Sequence, residues 1–239
     1  MNLKENITIY LNSFRSKSIL LAAALNSLLV LIVAALIVLI KIIAKPWTNK
    51  LEKINLANVA LQTETQLELI AMTLRGFILF VVIAIVILVI ILIIKWSFFQ
   101  GMIYKHFLKK KTNIKYLRRF TVLNALWLPP WLALFLAIVL GVKADYLITS
   151  FYILFFLFLH FTFILYTRFT KNSKLSEIQR TIKTGITKIR SFIIPYILIS
   201  ITFILISQLN RLSIPYFFVI YIIFFSWIQN YTKEIILKI

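Results

Sequence analysis

The sequence predicts an all-α, polytopic membrane protein: six transmembrane helices with amphipathic interfacial elbow helices. Three observations carry this expectation. The 239-residue chain is 62% hydrophobic, with a mean hydropathy of +0.96. A soluble domain is nearer half apolar, and a soluble fold of this size has too little interior to hide such a surface. Six runs have the length and apolarity of a bilayer-spanning helix. The net charge of +20 is also placed in a pattern: 20 of the 27 Lys and Arg residues fall on one side of the six spans and 7 on the other. The positive-inside rule then puts both termini in the cytoplasm of a cell-membrane protein, which an even number of spans requires.

The spans are expected at about 19–40, 76–94, 120–142, 146–166, 192–209 and 213–229 of a single membrane domain covering 1–239. The first is too long for the apolar core of a cleavable signal and ends in "KIIAKPW", which suits an interfacial anchor. The second is the most apolar, because Phe77–Ile94 contains no polar side chain. Only Asn210–Leu212 separates the last two.

Three segments on the basic side share a layout. "ENITIYLNSF" sets Ile7, Tyr10, Leu11 and Phe14 on one helical face. "MIYKHFLKKKTNIKYLRRF" spaces Ile103, Phe107, Ile114 and Leu117 in the same way, and "SEIQRTIKTGITKIRSF" aligns Ile178, Ile182, Ile186 and Ile189. Ser176 and Gln179 give the third a capping-box start. Apolar stripes backed by Lys and Arg predict helices lying in the headgroup layer. One elbow plus one helical hairpin, used three times, would generate the chain; an inside loop of any membrane protein also becomes basic and amphipathic.

The outer segment 47–75 breaks the pattern. Leu56, Ala60, Thr63, Leu67, Ile70 and Leu74 fall at alternating four- and three-residue steps, the seam of a helix packing on a helix. Pro46 suits the first turn of that helix, where its missing N–H costs nothing. The seam would pack on the protein's own outer surface or offer a partner site, and the basic elbows offer a second.

Catalytic chemistry finds little here. The chain has no cysteine, two histidines and one aspartate, and no Asp or Glu lies within a span. That excludes thiol chemistry, a His-rich metal site and an intramembrane aspartyl pair. HExxH, G-x-S-x-G and Walker-type patterns are absent. The expectation is no enzyme activity and no cofactor. The basic residues flank spans and face anionic headgroups, so membrane lipids are the expected partners and nucleic acid is not.

The polar residues inside the spans supply the candidate ligand-binding set: Asn124, Pro129, Pro130 and His160. Pro129 and Pro130, in "LWLPPWLALF", remove two amide donors and orphan the carbonyls of Ala125 and Leu126. Such carbonyls need protein or water beside them, not lipid. The pair therefore predicts a kinked or broken span facing the bundle interior, its freed carbonyls in a polar pocket with Asn124 and His160 nearby; a packed kink satisfied by neighbouring side chains would need no ligand. An interhelical hydrogen bond is the plainer role for His160 and for Asn26, Asn124, Ser200, Thr202, Ser207 and Gln208.

The basic elbows "KKKTNIKYLRRF" and "TKIRSF" and the proline-bearing "WLPPW" resemble a group of prokaryotic six-span membrane proteins. That group includes the membrane-domain type attached to some glycerophosphodiester phosphodiesterases. The resemblance lies in layout and carries over no catalytic residue; it implies an accessory or transport-like membrane role. The sequence thus points to a transport-type or lipid- or amphiphile-binding component, with a structural or assembly subunit of a membrane complex as the rival.

Overall fold

The computed structural model describes residues 3–52, 64–208 and 214–239. They are mainly helical, with no strand among the described residues: α1 (Leu3–Phe14), α2 (Ser18–Glu52), α3 (Glu64–Phe107), α4 (Ile114–Gly141), α5 (Ala144–Asn172), α6 (Glu177–Thr187), α7 (Arg190–Ser207) and α8 (Ile214–Lys238). Five of them, α2, α3, α4, α5 and α7, are long and apolar enough to cross a membrane. The chain divides into two units, one of 1–28 with 96–239 and one of 29–95.

The first unit is held together by amides. Asn26 on α2, Gln100 on α3 and Gln229 on α8 are all buried. Gln100 donates to the Asn26 carbonyl (3.0 Å), Asn26 to the Gln229 carbonyl (3.2 Å) and Gln229 to the Gln100 carbonyl (2.8 Å), closing a ring. Asn26 also donates to the Ser226 hydroxyl at 2.9 Å. Each carboxamide gives and receives within the ring, so three apolar helices carry amides inward without leaving these groups unpaired.

Two short helices fold back along longer ones. In α1 and α8, Lys238 meets Glu5, Tyr231 meets Tyr10, and Trp227 meets Ser13 and Phe14. One number falls as the other rises, so α1 lies antiparallel along the C-terminal half of α8. Trp227 stacks on Phe14 (4.5 Å, 13°) and on Tyr231 (5.5 Å, 5°). Likewise α6 runs antiparallel along α5: Glu177 bonds Asn172, and Gly185 lies against His160 and Phe161. Gly185 permits this approach, because a Cβ there would sit 2.4 Å from the Phe161 ring.

Both short helices bury their polar faces. In α1 the buried residues are Asn6, Ile9 and Ser13, while Leu3, Ile7, Leu11 and Phe14 are exposed. In α6 they are Glu177, Thr181 and Gly185, while Ile182, Ile186 and the following Ile189 are exposed. Water would reverse this arrangement; an apolar surrounding solvent selects it.

The middle elbow is not a helix of its own. Residues through Phe107 extend α3, those from Ile114 open α4, and Lys109 between them takes a left-handed conformation (φ 51°). The reason is local: Asn113 caps α4 by accepting from the Tyr116 N–H at 2.7 Å, which starts a helix in mid-segment. The third elbow lacks the expected capping box, since the Ser176 side chain makes no cap hydrogen bond. Pro46 does not start a helix either; α2 runs through it.

The expected break at "WLPPW" is also absent. Helix α4 continues through Pro129 and Pro130, and Ala125, Leu126 and both prolines are exposed, so the orphaned carbonyls face no pocket in the bundle. The bracketing tryptophans explain the continuity. Trp127 donates to Thr162 at 2.9 Å, and Trp131 packs its ring on Phe158 at 5.6 Å, clamping α4 to α5 on both sides of the prolines.

In the second unit, Trp47 stacks on Phe80 (6.4 Å, 19°) over Gly76, where a Cβ would come within 2.8 Å of the indole. Leu36, Ile40, Ile43, Phe80, Ile83 and Ile87 line an apolar groove. Of the predicted outer seam, Leu56, Ala60 and Thr63 lie outside the described residues, whereas the part from Glu64 onward runs directly into the second span as α3.

Opening the amide ring should destabilise the protein. Gln100→Leu strands the Asn26 carbonyl and one Gln229 donor, at a cost of about 1–3 kcal/mol, read as a lower thermal unfolding midpoint in detergent. An unchanged midpoint would mean that the ring holds nothing. Pro129→Ala and Pro130→Ala should have the opposite sign, because each restores an amide donor within a continuous helix; a gain of up to about 3 kcal/mol is expected. Destabilisation by both would show that the prolines carry a structural role despite their exposure.

Candidate functional site

Asn124 and His160 belong to separate polar clusters. Asn124 is fully buried; its carbonyl accepts the Tyr166 hydroxyl and its amide donates to the Phe120 carbonyl at 3.1 Å. Tyr166 also accepts from the Trp96 indole at 2.8 Å, so α3, α4 and α5 meet at one hydroxyl. His160 joins α5, α6 and α7. Its Nε2 lies 3.2 Å from the Gly185 carbonyl and its Nδ1 is bonded to the Tyr196 hydroxyl. A carbonyl can only accept, so Nε2 carries the proton and Nδ1 accepts from Tyr196 in the neutral ring. Both residues thus occupy the interhelical hydrogen-bonding role that the sequence offered as the alternative, and Pro129 and Pro130 lie on the outside.

At the α5–α6 corner, Glu177 has no exposed side-chain surface. It receives Arg168 Nε at 2.8 Å, Arg180 at 3.2 Å and the Asn172 amide at 3.0 Å, and Arg168 continues to the Thr184 hydroxyl at 3.1 Å. Burial pushes the Glu177 carboxyl up, but the hydrogen bonds from Arg168 and Asn172 and the two guanidinium charges outweigh it, holding the group below the usual glutamate range. Nearby cations serve helix ends: Lys233, itself buried, donates to the carbonyl of Phe107, the last residue of α3, and Lys110 donates to the Lys171 carbonyl at the end of α5.

Three of these clusters follow one sequence pattern. Tyr104-Lys105-His106, Tyr166-Thr167-Arg168 and Tyr231-Thr232-Lys233 lie toward the C-terminal ends of α3, α5 and α8, and all three tyrosines are buried. The recurrence that the elbows suggested is thus clearer toward the C-terminal ends of α3, α5 and α8.

An apolar crevice with a cationic edge lies elsewhere. Where the chain turns from α1 into α2, it borders a crevice of about 410 Å³, within the range of small-molecule sites. Ile19, Phe224 and Trp227 form its buried floor; Leu20, Ile206, Ile220 and Ile223 form its walls. Arg15, Ser16 and Lys17 stand at the α1–α2 turn, and Ser16 accepts from the Ser18 N–H at 3.3 Å. Apolar walls and a short cationic edge make a surface suited to an amphiphile. The sequence contains the signal, "FRSKSIL", but nothing in it shows that α7 and α8 complete the walls. A second cleft, more polar, is lined by Arg119, Ser173, Lys174 and Ser176.

The Glu177 cluster generates a pH-dependent prediction. Its folded pKa is depressed, so its contribution to stability is fully present above the unfolded glutamate value of about 4.3 and is lost as pH falls through the lowered folded value. Glu177→Gln should cost about 1.5–3 kcal/mol at neutral pH and flatten the acid limb of the stability profile. Thermal midpoints measured from pH 7 downwards check this; parallel profiles for the two proteins would contradict it. No protein-family model, curated protein or solved structure matches this chain, so its site is read from its own residues.

Proposed function

We propose that the chain is a six-span protein of the cell membrane with both termini in the cytoplasm, α8 serving as the sixth span. Its role is that of a transport-type or lipid- or amphiphile-binding component with no enzyme activity of its own. The observation that carries this reading is the crevice at the α1–α2 turn: apolar on its floor and walls, cationic at one edge, and built on helices whose exposed faces are apolar. The inverted burial of α1 and α6 supports membrane embedding, and the 20-to-7 division of basic residues supports the orientation. The likeness in layout to prokaryotic six-span proteins agrees with an accessory or transport-like role.

The assembly-subunit reading draws on the second unit. Ile78, Leu79, Val82, Ile85 and Val86 on α3 are all exposed, a face that lipid or another membrane helix would cover.

The test begins with gentle extraction and native mass spectrometry of the full chain. A bound amphiphile is expected on the wild type, and Ile223→Trp, which fills the crevice wall, should reduce its occupancy severalfold. A copurifying protein with no amphiphile would favour the assembly role. Orientation is checked in this cysteine-free chain by single substitutions: Ala60→Cys should react with an impermeant reagent from outside and Thr112→Cys should not. The reverse labelling pattern would overturn the orientation.

A further inference from the structure

We infer that the α1–α2 crevice selects a phospholipid with an anionic headgroup, whose acyl chain lies along Ile19, Phe224 and Trp227 and whose phosphate meets Arg15 and Lys17. The inference rests on the reading of this crevice as an amphiphile site and adds the chemistry of its occupant.

Charge complementarity carries it. The cavity walls are apolar, and its only charged residues are Arg15 and Lys17. No acidic side chain lines it, and the first turn of α2 contains none. Arg15 and Lys17 make no ion pair among the described residues, whereas Arg168, Arg180, Lys233 and Lys238 each hold a carboxylate. Two uncommitted cations beside one apolar cavity match a ligand with negative charge at the end of a hydrocarbon chain. A neutral or zwitterionic headgroup would leave them without a net counter-charge. Ser16, between them, adds a hydroxyl at the same edge. Leu20 is 69% exposed, so the cavity opens sideways onto the apolar surface of α2, from which a lipid tail can enter without crossing water.

The orientation proposed above places Arg15 and Lys17 at the cytoplasmic leaflet, where anionic lipids give the membrane surface its negative potential. A free fatty acid shares the apolar and anionic character. The bilayer phospholipid is favoured because the opening faces the helix surface that lipid would coat.

The full chain is reconstituted in vesicles of equal parts phosphatidylglycerol and phosphatidylcholine, extracted gently and analysed by native mass spectrometry. The wild type is expected to retain phosphatidylglycerol preferentially. Each cation near the headgroup is worth roughly a fivefold factor, so Arg15→Gln with Lys17→Gln should reduce the preference about twenty-five-fold. Lys109→Gln with Lys111→Gln, which removes two exposed charges away from the crevice, should leave it unchanged. An equal loss in both double variants would reduce the preference to general surface attraction and overturn the inference. Equal retention of the two lipids by the wild type, with occupancy still lost in Ile223→Trp, would keep the amphiphile site and overturn its anionic selectivity. Occupancy unaffected by Ile223→Trp would remove the site and the inference together. Leu20→Trp, at the exposed opening, provides the same block if Ile223→Trp does not fold, and retained helical circular dichroism confirms the fold of each variant.

Discussion

Three carboxamides buried among apolar helices must satisfy one another or destabilise everything around them. The ring of Asn26, Gln100 and Gln229 meets that constraint, and much of the first unit is organised so that it can. It requires α2, α3 and α8 to arrive at one height with one rotation each, because a helix turned by a single residue would point its amide away. Ser226 extends the ring by one acceptor and donates its own hydrogen bond to the Ile222 carbonyl, so the chain of donors ends on backbone. Apolar packing alone cannot specify such a register in lipid, where sliding one greasy helix past another changes little.

The same economy governs the charges. A basic chain in a membrane needs reasons for its cations beyond orientation, and several have local ones. Lys233 and Lys110 meet carbonyls near the C-termini of α3 and α5, where the helix dipole is negative. Arg168 and Arg180 hold Glu177, which in turn ties the start of α6 to the end of α5. Lys105 sits over the Tyr116 ring at 4.3 Å. Arg15 and Lys17, like many of the other cations, hold no carboxylate among the described residues; what sets them apart is the apolar crevice beside them.

Two recurrences organise the fold. Short helices fold back on the C-terminal halves of α5 and α8, and a buried tyrosine followed two residues later by a basic residue lies toward the C-terminal end of α3, α5 and α8. The middle elbow departs from the pattern because Asn113 caps a helix there and hands its second half to α4. A single capping side chain thus decided whether the segment became a separate helix or two helix ends.

Apolar length and helical periodicity were legible because they are properties of contiguous residues. They place the long helices and the amphipathic stretches of α1 and α6 directly, and the absence of cysteine and of any carboxylate within an expected span sets the expectation of no catalysis just as directly. The roles of Asn124, Pro129, Pro130 and His160 were not legible in the same way. Local rules place a proline pair at a helix break, but whether the helix breaks depends on Trp127 and Trp131 gripping α5, partners about thirty residues away in sequence. Which face of α1 or α6 turns inward is likewise a contest between a polar and an apolar stripe that periodicity detects but cannot rank. The crevice needed α1, α2, α7 and α8 at once. The sequence by itself determined which segments are helical and apolar enough for a membrane; only the tertiary structure decided which polar groups meet, because a hydrogen bond between residues two hundred positions apart leaves no trace in either one's neighbours.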